Sequence, residues 1–280
     1  MTIVTEGDEL RPLLAARGGP QVLVPTMGAL HAGHLALVER ARELAGPAGT
    51  VVVSIFVNPI QFDRAADLAA YPQPLEADLA ACRTAGVDVV FAPPAAGMYF
   101  ADRSVTVTES LLSRTLCGAK RPGHFDGVCT VVLKLFLASG CGLAVFGEKD
   151  FQQLAVIRRM VRDLNVPVKI IGHPTVREPD GLALSSRNSR LTPAQRADAP
   201  RLRHALLAAR AAFTAGSREA AELREIARRG LDAAGVRLDY LELVDAESLQ
   251  AVSRVDRPAV LATAVFYGEV RLIDHLRLEP

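Results

Sequence analysis

His31 and His34 stand three residues apart in the stretch PTMGALHAGH at 25–34. On the first turn of a helix that spacing turns both imidazoles the same way. The same turn presents unpaired N–H groups and the positive end of the helix dipole, a natural seat for phosphate. Gly28 and Gly33 remove side chains where a ligand would lie against the backbone. A plainer reading is a glycine turn with two partly exposed histidines, and the constellation as a whole argues against it.

Other chemically capable residues also sit directly after apolar runs. Asn58-Pro59-Ile60-Gln61-Phe62 follows the β-branched run 50–57, and Gly147-Glu148-Lys149-Asp150 follows 143–146. In open α/β sheets, ligands bind outside the carboxyl ends of strands, so these segments are expected to converge on one crevice. A further segment, 176–188, carries Arg177, Leu184, Ser185, Ser186, Arg187 and Asn188 at the inferred domain junction. Histidines, a lysine, an arginine, hydroxyls and a helix N-terminus suit a polyphosphate.

The elements that must position these residues follow from periodicity. Val22-Leu23-Val24 reads as a buried strand, and Leu35, Leu37, Val38, Ala41, Leu44 and Ala45 as one face of the helix after it. The continuous run 50–57 has the signature of a parallel strand covered on both faces. Segments 87–91, 143–146 and 168–171 supply further strands, with helices over 76–85 and 127–137 and another opening at Asp150. The alternation predicts an α/β fold with a doubly wound, Rossmann-like parallel sheet over 1–175. From 176 to 280 the texture changes to a smaller α+β domain, with helices over 193–215 and 217–234 and strands at 237–244, 260–267 and 270–273.

A 280-residue chain with 50% hydrophobic residues and net charge +1 is an ordinary globular composition. It argues against a broad nucleic-acid or anionic-membrane surface. No apolar run reaches the length of a membrane span, and the first ten residues lack the basic and apolar regions of a signal peptide. Cys82, Cys117, Cys129 and Cys141 show no paired ligand spacing, which points to reduced thiols in a cytoplasmic protein.

Five stretches in this order, PTMGALHAGHLALV, VNPIQF, RPGHFDGV, FGEKDFQQL and REPDGLALSSRN, resemble the pantothenate synthetase family of the HxGH nucleotidyltransferase superfamily. The resemblance spans nearly the whole chain. It implies ATP-dependent joining of pantoate to β-alanine through a pantoyl adenylate, with release of pyrophosphate and AMP, Mg²⁺ accompanying ATP, and a homodimer. It assigns ATP to Met27, Gly28, Ala29, Leu30, His31, Ala32, Gly33 and His34, with His31 and His34 at the phosphates and His34 as proton donor. Gly147, Glu148, Lys149 and Asp150 would contact ribose and phosphates. Val176 would meet adenine through its backbone, and Leu184, Ser185, Ser186 and Arg187 would close on the triphosphate. His34, His31, Lys149 and Arg187 are then the catalytic set. Gln61 and Gln153 are implied for pantoate, Gln61 also near β-alanine, and the smaller domain would close over the active site.

Each assignment has a plainer counterpart. Asp150 and Gln153 have the spacing of a helix-capping pair, Ser185 and Ser186 that of a self-bonded loop, and Arg121-Pro122-Gly123-His124 that of a tight turn. Gln73-Pro74 and Arg190 depart from the family's usual residues. The first departure leaves the metal ligands unknown, with Asp78 the nearest acid and Ala77 and Ala81 without donor atoms. Two rival functions stay open: a nucleotidylyltransferase acting on another small molecule, and a non-catalytic nucleotide sensor.

Overall fold

The computed structural model describes all 280 residues, which divide into two compact units. One comprises 1–109, 121–148 and 153–174. The other comprises 110–120, 149–152 and 175–280.

The first unit holds a six-stranded, all-parallel sheet. Its strands are β1 (Thr2–Val4), β2 (Gln21–Thr26), β3 (Thr50–Ile55), β4 (Val89–Phe91), β5 (Leu143–Gly147) and β6 (Lys169–His173), in the order β1-β4-β3-β2-β5-β6. The order reverses at β2 and β5, which is where a doubly wound sheet opens its crevice. All six residues of β3 are buried, as a strand covered on both faces requires. Helices Ala32–Ala45 and Leu75–Thr84 bring Leu37, Val38, Ala41, Leu79 and Cys82 against Val22, Val24, Val51 and Val53.

The second unit carries an antiparallel meander of β7 (Val236–Asp245), β8 (Ala259–Tyr267) and β9 (Val270–Leu278). Helices Arg201–Thr214 and Ala220–Leu231 pack Leu202, Leu206, Phe213 and Leu223 into a core with Leu243, Leu261 and Leu276. The segment read as one helix over 193–215 is two, Pro193–Asp198 and Arg201–Thr214. Pro200 stands between them; it has no N–H to continue the ladder. Helix Pro193–Asp198 starts with a full capping box between Thr192 and Gln195. Strand β9 runs five residues beyond its expected end at Ile273: it stays paired with β8 to Leu278, and Asp274 fills a buried position against Arg177 at 2.8 Å.

Candidate active site

Three of the expected segments follow β2, β3 and β5. These are neighbours in a parallel sheet, so their carboxyl ends share one edge. Loop 27–31 follows β2, Asn58 and the 3-10 turn Pro59–Gln61 follow β3, and Gly147 and Glu148 close β5.

Helix Ala32–Ala45 begins with His31 as its N-cap and His34 at the third position. His31 Nδ1 accepts from Gly33 N–H at 3.1 Å, and His34 Nδ1 accepts from His31 N–H at 3.4 Å. The histidines therefore form the reciprocal cap that a serine and a glutamate usually make. A ring whose Nδ1 accepts a hydrogen bond carries its own hydrogen, when neutral, on Nε2. The two rings stack with centroids 4.0 Å apart and an interplanar angle of 30°. The N–H groups expected to seat phosphate are thus partly engaged within the chain. The His34 and Leu35 N–H groups both bond to His31 O, at 2.8 and 3.1 Å.

The loop before it is equally committed. Gly28 N–H bonds to Thr26 Oγ1 at 3.2 Å. Ala29 N–H and Leu30 N–H donate to the two oxygens of Asp78, at 2.8 and 2.7 Å. Gly28 and Ala29 both have positive φ, 78° and 49°.

Gln61 is held from several sides. Asn58, 1% exposed, donates through Nδ2 to Gln61 Oε1 at 2.9 Å and to Gly127 O at 3.0 Å. Tyr99 OH donates to Asn58 Oδ1 at 2.8 Å. These bonds leave Gln61 Nε2 as the donor end; it lies 3.0 Å from Met27 Sδ. Burial pushes the Tyr99 hydroxyl up to about 12, against the pull of Arg103, so it remains a donor at any working pH. The RPGH turn grips the Gln61 main chain: His124 Nδ1 lies 2.7 Å from Gln61 O, and Arg121 donates to the same oxygen at 3.3 Å. Burial works to raise the Asp63 carboxyl, but its hydrogen bond and ion pair with Arg121 hold it below the usual range. A Cβ at Gly127 would meet Ile60 O at 2.6 Å and Gln61 N and Cα at 2.7 Å. The motif RPGHFDG is therefore scaffolding for Gln61, a role that contacts about sixty residues apart keep out of reach of local pattern.

In the second unit, Lys149 and Asp150 lie in the 3-10 turn Glu148–Asp150, with 3.9 Å between Nζ and Oδ2. Val176 accepts from Leu184 N–H at 3.0 Å, and Arg177 bridges to Ala183, so residues 176–184 form a small hairpin. Ser185 caps the short 3-10 helix Ser186–Arg190, its Oγ accepting from Arg187 N–H at 3.2 Å. That is the self-bonded loop of the plainer reading, and it sets the backbone that bears Arg187. Gln153, in the first unit, is half-buried. Its neighbour Gln152 is the buried one. Gln152 accepts from Cys117 N–H at 2.9 Å and donates to Leu112 O and Thr115 O at 2.8 and 2.7 Å.

The sequence profile of the pantoate-beta-alanine ligase family matches residues 2–277. The chain belongs to that family. Pantothenate synthetase of Akkermansia muciniphila is 57% identical over 258 residues, which cover 92% of each chain. The crystal structure of pantothenate synthetase from Thermus thermophilus superposes with a TM-score of 0.94 at 48% identity, covering 100% of both chains. The pantoate-beta-alanine ligase of Francisella tularensis, complexed with beta-gamma ATP and beta-alanine, superposes with a TM-score of 0.79 at 32% identity, covering 99% of this chain and 97% of its own.

In this chain no group of three His, Cys, Asp or Glu side chains gathers as a set of cation ligands. Asp78 is 3% exposed with both oxygens on backbone N–H groups, and Ala77 and Ala81 beside it have no donor atom. These residues do not fit a protein-held divalent cation.

Proposed function

We propose that the chain joins pantoate to β-alanine at the expense of ATP. A pantoate carboxylate oxygen attacks the α-phosphorus, the bond to the β-phosphate breaks, and pyrophosphate leaves pantoyl adenylate. The β-alanine amine then attacks the acyl carbon, forming the amide and releasing AMP. The observation that carries this reading is the stacked His31–His34 pair. With each Nδ1 engaged in a cap, each neutral ring carries its hydrogen on Nε2, and an imidazole N–H is a donor that phosphate oxygens accept. Family membership supports the same reading.

Neither step calls for a protein nucleophile, so the residues act by positioning and by opposing developing charge. We assign Met27, Gly28, Ala29, Leu30, Ala32 and Gly33 to shaping the phosphate seat. Lys149 and Arg187 add positive charge on the phosphates, with Leu184, Ser185 and Ser186 beside Arg187. Gly147, Glu148 and Asp150 serve the ribose and phosphates, and Val176 the adenine. Gln61 and Gln153 hold pantoate, with Gln61 reaching β-alanine as well. Mg²⁺ belongs to this reading as the counter-ion of the ATP phosphates.

The assembly we propose is a homodimer, motivated by Phe100 and Val105, which are 72% and 78% exposed. Sedimentation velocity tests it; a sharp monomer boundary at micromolar concentration rules it out. A cytoplasmic location completes the proposal, in keeping with free thiols at all four cysteines.

The deciding assay supplies ATP, Mg²⁺ and pantoate, measures pyrophosphate, then adds β-alanine and weighs the products. Pyrophosphate followed by pantothenate and AMP is the expected result. An adenylylated product that β-alanine leaves untouched would mean a nucleotidylyltransferase. Bound ATP without any pyrophosphate would mean a sensor.

A further inference from the structure

We infer that Asp78 is the positioning residue of the ATP loop: its carboxylate holds Gly28, Ala29 and Leu30 in the shape that aims His31 and His34. The inference deepens the proposed ATP role of this loop and rests on it.

Four observations meet at one carboxylate. Oδ2 accepts from Ala29 N–H at 2.8 Å and Oδ1 from Leu30 N–H at 2.7 Å. The loop reaches that geometry only with positive φ at Gly28 and Ala29, and a non-glycine residue in that region is strained. The space beside Gly28 is taken by the same group, since a Cβ there would lie 2.8 Å from Asp78 Oδ2. Asp78 itself is 3% exposed on a helix whose Leu79 and Cys82 are core residues, so its anchor is rigid.

Residue type matters here. Two consecutive N–H groups need an acceptor on each arm of one planar group. A carboxylate supplies both, whereas an amide would turn an NH₂ toward one of the donors. Glutamate would carry the group a methylene too far. Strained backbone persists where its surroundings over-determine it, and the next residue along, His31, is the cap that orients both imidazoles. Asp78 thus acts on the phosphates through the loop, as a buried anion that takes two consecutive N–H groups and leaves them unavailable to the nucleotide. This also accounts for an acid beside a phosphate site that has no neighbouring ligands for a cation.

The test is calorimetric titration of ATP, with Mg²⁺ and again in EDTA, into wild type, Asp78→Asn, Gly28→Ala and the double variant. Turnover gives the half-saturating concentrations of ATP, Mg²⁺ and β-alanine. Each single variant is expected to weaken ATP about 10- to 100-fold, the size of one lost charge-assisted hydrogen bond. The loss is expected to be equal with and without Mg²⁺, with half-saturation by Mg²⁺ and by β-alanine unchanged. The double variant is expected to lose no more than the worse single, because both break one junction. Should Asp78→Asn fail to fold, judged by circular dichroism, Gly28→Ala carries the test from the loop side. ATP binding at wild-type strength in the variants overturns the inference alone. So does a loss confined to titrations containing Mg²⁺, which would make Asp78 a cation ligand. A wild-type protein that binds no ATP overturns the ATP reading, and this inference with it.

Discussion

The hydroxyl of Tyr99 donates to Asn58 Oδ1 at 2.8 Å, and that bond decides which way the Gln61 amide faces. With Oδ1 occupied, Asn58 must present Nδ2 to Gln61 Oε1, so Gln61 turns its own NH₂ to Met27 Sδ, 3.0 Å away. Tyr99→Phe frees Asn58 to flip and leaves a buried acceptor unpaired, at a cost of about 1–3 kcal/mol. The variant is expected to raise the KM for pantoate and β-alanine several-fold while the KM for ATP stays put. The loss should be the same at pH 6 and pH 9, because the phenol stays protonated up to about 12. Steady-state kinetics with each substrate varied in turn checks both points.

What the sequence reveals of this architecture is its buried periodicity. Residues 50–55 form a continuous, largely β-branched run without polar alternation, and burial on both faces demands such a run. The chemical residues after β2, β3 and β5 are legible for a related reason, since polar and glycine-rich turns interrupt apolar text. Strand β1, three residues with two exposed, carries too little pattern to be read, and its place comes only from pairing with β4. The tie of Asp78 to Ala29 and Leu30 spans 48–49 residues, and that of Arg177 to Asp274 spans 97. No local window contains either. The histidine cap is within reach of the sequence, since the third position after an N-cap is where a reciprocal partner stands. Histidines in those places read first as ligands.

Arg177 and Asp274 form a two-point ion pair with both contacts at 2.8 Å. Asp274 is nearly buried, and it also accepts from His275 N–H at 2.8 Å. Removing one partner of such a pair costs about 3–5 kcal/mol, because the remaining charge stays buried. Arg177→Ala is therefore expected to lower the denaturant midpoint strongly and to expose the 176–184 hairpin to protease. Arg177→Lys keeps the charge but not the fork, and should fall between the two. An unchanged midpoint in Arg177→Ala would mean that Asp274 finds another partner.

The buried cysteines should be chemically silent in the folded protein. Burial raises the thiols of Cys82 and Cys141 to about 11 and that of Cys129 to about 12; nearby acids add to the effect at Cys82 and Cys129, while a hydrogen bond with Ser139 opposes it at Cys141. Only the thiolate alkylates, so a raised pKa suppresses reaction throughout the neutral range. At pH 8 iodoacetamide is expected to leave these three unmodified in native protein and to label all four cysteines once it is denatured. Peptide mass spectrometry reads the outcome directly, and native labelling of Cys129 would show that its packing opens.

His34 has two duties that substitution can separate. Its Nδ1 accepts from the N-cap N–H, and its Nε2–H is proposed to face the phosphates. Glutamine at the third helical position can still accept from the N-cap but cannot reproduce an imidazole donor at the same point. His34→Gln is therefore expected to melt within a few degrees of wild type and to form adenylate about 100- to 1000-fold more slowly in single turnover, the usual cost of one preorganised donor. His34→Ala should show the same rate loss together with a stability loss of about 1 kcal/mol from the missing cap. A normal adenylation rate in His34→Gln, with ATP and pantoate saturating, would confine His34 to its structural duty and leave His31, Lys149 and Arg187 to carry the charge.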